Sequence, residues 1–298
     1  MKVLVSGSTG LIGSALVPFL MTGGHRVITL VRRSPQGDGE VQWNPGAGAV
    51  DKKRLEGLDA VVHLAGEGIA ARRWIAAQKT RISQSRVEGT NLLCGALAGL
   101  QHPPQVLVCA SAIGYYGDRG DEELDETSPP GSGFLAEVCR DWEAACEPAR
   151  GKGIRTLNLR FGVVLSRDGG ALQKMLFPFK LGVGGVVSNG RQFWSWIALD
   201  DVIGVIQHVL NHEKIDGPVN VTAPKPATNR EFTKTLGKVL RRPTVLPMPA
   251  FAARLALGEM ANDLLLASTR VLPRRLQETG YEFRFPELEQ ALRQMLGK

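Results

Sequence analysis

The sequence predicts an α/β fold, a doubly wound parallel sheet with a smaller mixed α/β substrate lobe. Two observations predict it. Short apolar runs alternate with amphipathic stretches of helical period through the first half of the chain, the pattern of strands covered on both faces by crossover helices. The second half loses that rhythm: residues 166–196 are rich in glycine, and residues 224–298 mix helical patterns with prolines at 224, 226, 243, 247, 249, 273 and 286.

In chain order, Val3–Val5 opens as a strand and Leu11–Met21 follows as a helix. Pro18 sits inside that helix, where a missing N–H costs about 3 kcal/mol, and a kink is expected. Strands are expected at Val27–Val31, Ala60–Leu64, Val106–Ala110 and Thr156–Leu159, with helices at Gln78–Leu100 and Phe134–Ala149. The stretch "DDVIGVIQHVL", 200–210, reads as a helix with an apolar inner face, and "PVNVTA", 218–223, as a short strand. The expected division is therefore 1–165 with 197–223 as the nucleotide-binding domain, and 166–196 with 224–298 as the substrate lobe.

Composition narrows the class. The 298 residues are 43% hydrophobic and 22% charged, values of a globular protein that can bury a substantial core. No apolar run approaches the roughly 18 residues of a membrane span, and Met1 and Lys2 lead straight into strand sequence, so no membrane partner and a cytoplasmic location are expected. Cys94, Cys109, Cys139 and Cys146 are scattered without ligand spacing and read as reduced thiols. Nor do the five histidines assemble into a metal set. The net charge of +7 is spread along the chain with no basic tail or aromatic RNA motif. It suits an anionic small molecule, not nucleic acid.

The sharpest signal is "VSGSTGLIG", 5–13. Glycines at Gly7, Gly10 and Gly13 follow a strand and open a helix. The first permits a tight turn, the second lets the backbone approach a pyrophosphate, and the third lets helix and strand pack closely, while the helix N-terminus offers free N–H groups. The loop Gly7, Ser8, Thr9, Gly10, Leu11, Ile12 and Gly13 is thus the expected dinucleotide cradle. Cofactor choice falls to the end of the second strand, where Asp or Glu would hold ribose hydroxyls. Here "TLVRRS" places Arg32 and Arg33. A guanidinium grips a 2′-phosphate that a carboxylate would repel, so NADP is the expected cofactor.

Taken together, these residues resemble the extended short-chain dehydrogenase/reductase superfamily, and more closely its atypical, epimerase-family branch. Supporting stretches are "DAVVHLAGE" at 59–67, "SRVEGTNLL" at 85–93, "WIALDDV" at 196–202, and the terminal run from "ATNREFTKTLGKVLRRP" to "ETGYEFRFPELEQALRQML". The resemblance implies a Rossmann-type sheet, places His63, Leu64, Ala65 and Gly66 beside the cofactor, puts Glu67 on the substrate side, and offers a homodimer by analogy. It also fails informatively. Superfamily chemistry relies on Tyr-x-x-x-Lys, but "FLAEVCRDWEAA", 134–145, puts Phe134 or Leu135 at the tyrosine and Val138 or Cys139 at the lysine. Arg86 replaces the usual Asn of N-V-x-G-T; it can anchor pyrophosphate, clamp an anionic substrate or join a surface salt bridge.

The remaining candidates for chemistry are Ser111, Tyr115 and Tyr116 in "CASAIGYYGD", 109–118, which resembles the superfamily's S-S-x-x-x-Y-G loop. A phenol with no lysine beside it stays protonated at neutral pH, a proton donor and a poor base. Arg191 and Gln192 of "GRQFWSWIALDD" are the substrate-binding candidates of the lobe. Trp194 and Trp196 would share one strand face and pack into a core. Three functions follow: an NADP-dependent oxidoreductase of a small anionic carbonyl compound, a non-catalytic NADPH-responsive binding protein, and a nucleotide-sugar epimerase.

Overall fold

The computed structural model describes residues 1–298. In chain order the elements are β1 (Lys2–Ser6), α1 (Leu11–Thr22), β2 (Arg26–Val31), β3 (Glu40–Asn44), β4 (Ala49–Val50), β5 (Ala60–His63), α2 (Ala76–Ala98) and β6 (Val106–Ala112). Next come β7 (Glu123–Leu124), α3 (Phe134–Ala144), α4 (Glu147–Gly151), β8 (Arg155–Phe161), β9 (Val163–Leu165) and α5 (Gly170–Lys180). The rest are β10 (Phe193–Trp194), β11 (Trp196–Ala198), α6 (Leu199–Asn211), β12 (Gly217–Val221), β13 (Ala227–Thr228), α7 (Asn229–Leu240), α8 (Ala250–Leu257), β14 (Arg270–Val271), α9 (Arg274–Glu278) and α10 (Leu288–Leu296).

An eight-stranded sheet runs in the order β12-β8-β6-β5-β1-β2-β3-β4. β1 lies at its middle because Val3, Leu4 and Val5 are all apolar and all fully buried, as a strand covered on both faces requires. It pairs in parallel with β2, Val3 opposite Val27, and with β5, Val3 opposite Ala60. The reversal of strand order on either side of β1 opens the crevice in which doubly wound sheets bind ligands. The α/β class is therefore as expected.

Several local expectations are corrected. The helix expected over Phe134–Ala149 is two, α3 and α4, because Pro148 fits only the first turn of a new helix, where its absent N–H is not needed. α1, by contrast, runs as expected with Pro18 inside it, on its exposed side. β3 and β4 were not expected. In β3 only Val41 and Trp43 are buried and their neighbours face out, so its apolar content is too thin to read as a run.

Chain contacts group residues 1–111, 138–159 and 206–218 into one unit, and 112–137, 160–205 and 219–298 into a second. This differs from the division drawn on sequence. Segment 112–137 joins the second unit through distant pairings: β7 lies parallel to β14, and Ser268 donates its N–H to Asp118 Oδ1 over 3.0 Å. Likewise β9 pairs with β11 in parallel, so 160–165 and 196–198 stay together. The core of the second unit gathers Leu165, Leu176, Trp194, Trp196, Phe232 and Leu292. Trp194 and Trp196 are thus core residues. All four cysteines are free and buried, and no helix is long and apolar enough to cross a membrane.

Candidate functional site

The glycine loop is shaped by close backbone approach. A Cβ on Gly13 would stand 2.2 Å from the Gly7 carbonyl oxygen, and one on Gly7, whose φ is +69°, would meet Leu64 and Ala65 main chain at 2.8–2.9 Å. Gly10 is the N-cap of α1 and brings no side chain to its first N–H groups. Those donors and the positive end of the helix face whatever occupies the loop, so these residues fit a dinucleotide pyrophosphate.

Ser6 at the end of β1 ties this loop to the one after β5. Its Oγ accepts from Leu64 N at 3.1 Å and Ala65 N at 3.2 Å, and lies 2.6 Å from His63 Nδ1. With both backbone donors pointing at Oγ, the hydroxyl proton goes to Nδ1, leaving the ring's own proton on Nε2, 3.1 Å from Thr90 Oγ1. Thr90 also accepts from Trp142 Nε1 at 2.9 Å. Burial pushes His63 down to about 4, so the ring is neutral. This revises the cofactor role expected of His63: the side chain is a fully buried brace, and only its main chain is left to a ligand.

At the end of β2 the two arginines differ. Arg33 grips Glu40 in a paired contact, Nη1–Oε2 2.7 Å and Nη2–Oε1 2.5 Å, and holds that carboxyl below the usual range. Arg32 is exposed and outside the pair. In the loop after β5, Glu67 accepts from Gln78 Nε2 at 3.3 Å, and Arg81 in turn donates to Gln78 Oε1 at 2.9 Å. Arg86, on α2, donates through Nη1 to the carbonyls of Glu67 (3.0 Å) and Ile82 (3.1 Å). It is therefore no surface salt bridge, and two of the three roles open in the sequence remain.

Ser111 is buried on β6 and donates to Glu143 Oε1 over 2.7 Å. The next residue at the strand end is Ala112, which has no hydroxyl to offer a substrate. Sequence reading missed Glu143 because nothing local to α3 distinguishes it from a solvated helix acid.

In the second unit the two tyrosines separate. Tyr116 is wholly buried. Its oxygen accepts from Arg160 Nη1 at 2.9 Å and lies 2.7 Å from Asn220 Oδ1 and 2.9 Å from the Asp125 carbonyl. Burial pushes its phenol up to about 12. A sealed hydroxyl in that network cannot meet a substrate, which corrects the catalytic role expected of it. Tyr115 is half-buried, and the Arg160 guanidinium carbon stands 3.5 Å from its ring centroid. The signal for Arg160 in "TLNLRF" is that Asn158 and Arg160 alternate with Leu157, Leu159 and Phe161 in a strand buried from Thr156 onward, where an arginine needs partners.

Arg191 and Gln192 both line a cleft of about 840 Å³ with Ser188, Asn189, Arg254 and Ser268. Gln192 spends its amide on the carbonyls of Val187 and Leu265, 3.1 and 3.0 Å away. Arg191 is exposed at the cleft, and its main-chain N–H donates to Asn189 Oδ1 over 2.8 Å.

Comparison with known proteins places this geometry in a wider set. Residues 3–222 match the NAD dependent epimerase/dehydratase family, and residues 248–295 match a domain of unknown function, DUF1731. Epimerase family protein Mb2239 of Mycobacterium bovis is 42% identical over 290 residues, which is 97% of this chain and 96% of that protein. The crystal structure of human epimerase family protein SDR39U1 (isoform 2) with NADPH is similar at a TM-score of 0.92 and 38% identity, over 100% of both chains. A nucleoside-diphosphate sugar epimerase from Corynebacterium glutamicum gives a TM-score of 0.83 at 38% identity, over 100% of this chain and 58% of that one.

Proposed function

This chain belongs to the NAD dependent epimerase/dehydratase family, and we propose that it is an NADP(H)-dependent oxidoreductase of a small, anionic carbonyl compound, working without the Tyr-x-x-x-Lys pair. The observation that carries the cofactor reading is the cradle at Gly7, Gly10 and Gly13, where an added Cβ at the first or last would strike main chain and where α1 begins without a side-chain cap. Arg32, exposed at the end of β2, favours the phosphorylated coenzyme, and the human relative's structure with NADPH supports the same choice. When bound, NADPH supplies a hydride.

The chain's own contribution is positioning and a proton. Of the three hydroxyls expected to act, Ser111 is engaged by Glu143 and Tyr116 is sealed, so Tyr115 is the proton donor of this reading. Reduction is the favoured direction because no lysine is present to turn the phenol into a base. Arg191 serves as the lobe-side contact for the substrate anion. The test is NADPH consumption against carboxylate- and phosphate-bearing aldehydes and ketones. A substrate should be found for which Tyr115→Phe slows turnover by about 100-fold, the usual scale of a lost proton donor. Turnover unchanged in that variant removes Tyr115 from the reaction.

A second reading, a non-catalytic protein whose partner binding responds to NADPH, is favoured by the same loss of hydroxyls. It predicts partner recovery that changes with NADPH in a pull-down and no turnover with any carbonyl compound. The epimerase reading ranks third, because transient oxidation of a sugar needs a base that neither Tyr115 nor Ser111 supplies.

A further inference from the structure

Arg86 is a largely buried cation with no carboxylate in direct contact, Glu67 acting on it only from a distance. It reaches from α2 to the loop after β5, so close that a Cβ on Gly66 would meet its guanidinium carbon at 3.5 Å. Nη1 is held by the carbonyls of Glu67 and Ile82, and the guanidinium carbon stands 5.0 Å from the centre of the Trp142 ring. No carboxylate stands within ion-pair distance of it, since Glu67 turns its own toward Gln78. Taking a guanidinium out of water is costly, and two carbonyls with one aromatic face compensate it only in part. Burial lowers its proton affinity, yet an arginine does not lose its charge in the physiological range.

The place is informative. Trp142 lies three residues after Cys139, hence on the same face of α3, and Cys139 is within electrostatic reach of Arg86. Cys139 is also one of the two residues standing where the Tyr-x-x-x-Lys pattern requires its lysine. We infer that Arg86 sets a fixed positive charge beside the position where that pattern has its lysine, and that this charge acts on the nicotinamide end of the dinucleotide and not as an activator of a phenol. The inference rests on the NADP(H) reading above. A charge at that end distinguishes the two redox states. The oxidised ring is positive and is repelled, the reduced ring is neutral, and the phosphates are the same in both. Arg86 is then a specificity residue for the reduced coenzyme.

The test is the ratio of NADP+ to NADPH dissociation constants, measured by calorimetric titration of the full chain. The wild type should favour NADPH, and Arg86→Gln should narrow the ratio by about tenfold or more, since one unit charge at an effective dielectric of about 20 still contributes a factor of about ten at roughly 12 Å. Arg86→Lys should keep the ratio. Glu67→Gln, which removes the nearest negative charge without touching the arginine, should widen it, and carries the test if Arg86→Gln does not fold. A ratio unchanged in both Gln variants overturns the inference, as does an equal weakening of both coenzymes by Arg86→Gln, which would make the residue a phosphate anchor. If the wild type binds neither coenzyme, the NADP(H) reading itself falls, and the inference with it.

Discussion

Tyr115 and Tyr116 are neighbours in sequence with opposite environments, and the Tyr116 hydroxyl is held by partners 9, 44 and 104 residues away. Tyr116→Phe removes a buried hydroxyl that accepts from Arg160 and stands within hydrogen-bond distance of Asn220 Oδ1, so two buried hydrogen bonds are lost together. It should cost about 1–3 kcal/mol in denaturant unfolding. His63 makes a prediction with a sign. Its folded value of about 4 lies below the unfolded 6.5, so the unfolded chain binds more protons between them and stability falls as pH drops through that window. About 2 kcal/mol should be lost between about pH 7 and about pH 5, and His63→Gln should remove that part of the slope. Neither role was legible in the sequence. "HLAGE" and "YYGD" mark where the loops run, but whether a side chain turns to the ligand or into the core depends on Ser6, Thr90, Asn220 and Arg160, all remote in sequence.

At the scale of elements, the β1–loop–α1 unit is the most legible part of the molecule, because its requirements are local. Strand, tight turn and helix start fall within residues 2–22, and each glycine answers to a backbone within that span or beside it. Gly13→Ala should therefore abolish measurable coenzyme binding and lower the thermal midpoint, since its methyl would sit against the Gly7 carbonyl. A variant that binds with wild-type affinity would show that the cradle can open. The α3–α4 break was less legible: the apolar period continues from Trp142 to Ala149, and only Pro148 announces the new helix. β3 was hidden for the opposite reason, having too few apolar residues to stand out from a loop.

For the whole molecule, fold class follows from alternation along the chain, whereas the assignment of segments to units does not. The pairing of β7 with β14 joins residues about 150 apart, and a two-residue strand leaves no periodic trace. Asp201 shows how the late segments are fastened: its carboxylate accepts from the N–H groups of Arg284 at 2.7 Å and Phe285 at 3.0 Å, which fixes the approach to α10. The "LDDV" motif was legible as a family mark, but its use as a clamp for residues 281–285 was not. The central claim, an NADP(H) protein, is tested most directly by titrating the purified full chain with NADPH and NADH, alongside Arg32→Glu. Saturable binding that is tighter for NADPH, with the preference cut about tenfold or more in Arg32→Glu, is the predicted result. Tighter binding of NADH by the wild type, or saturable binding of neither, would contradict it.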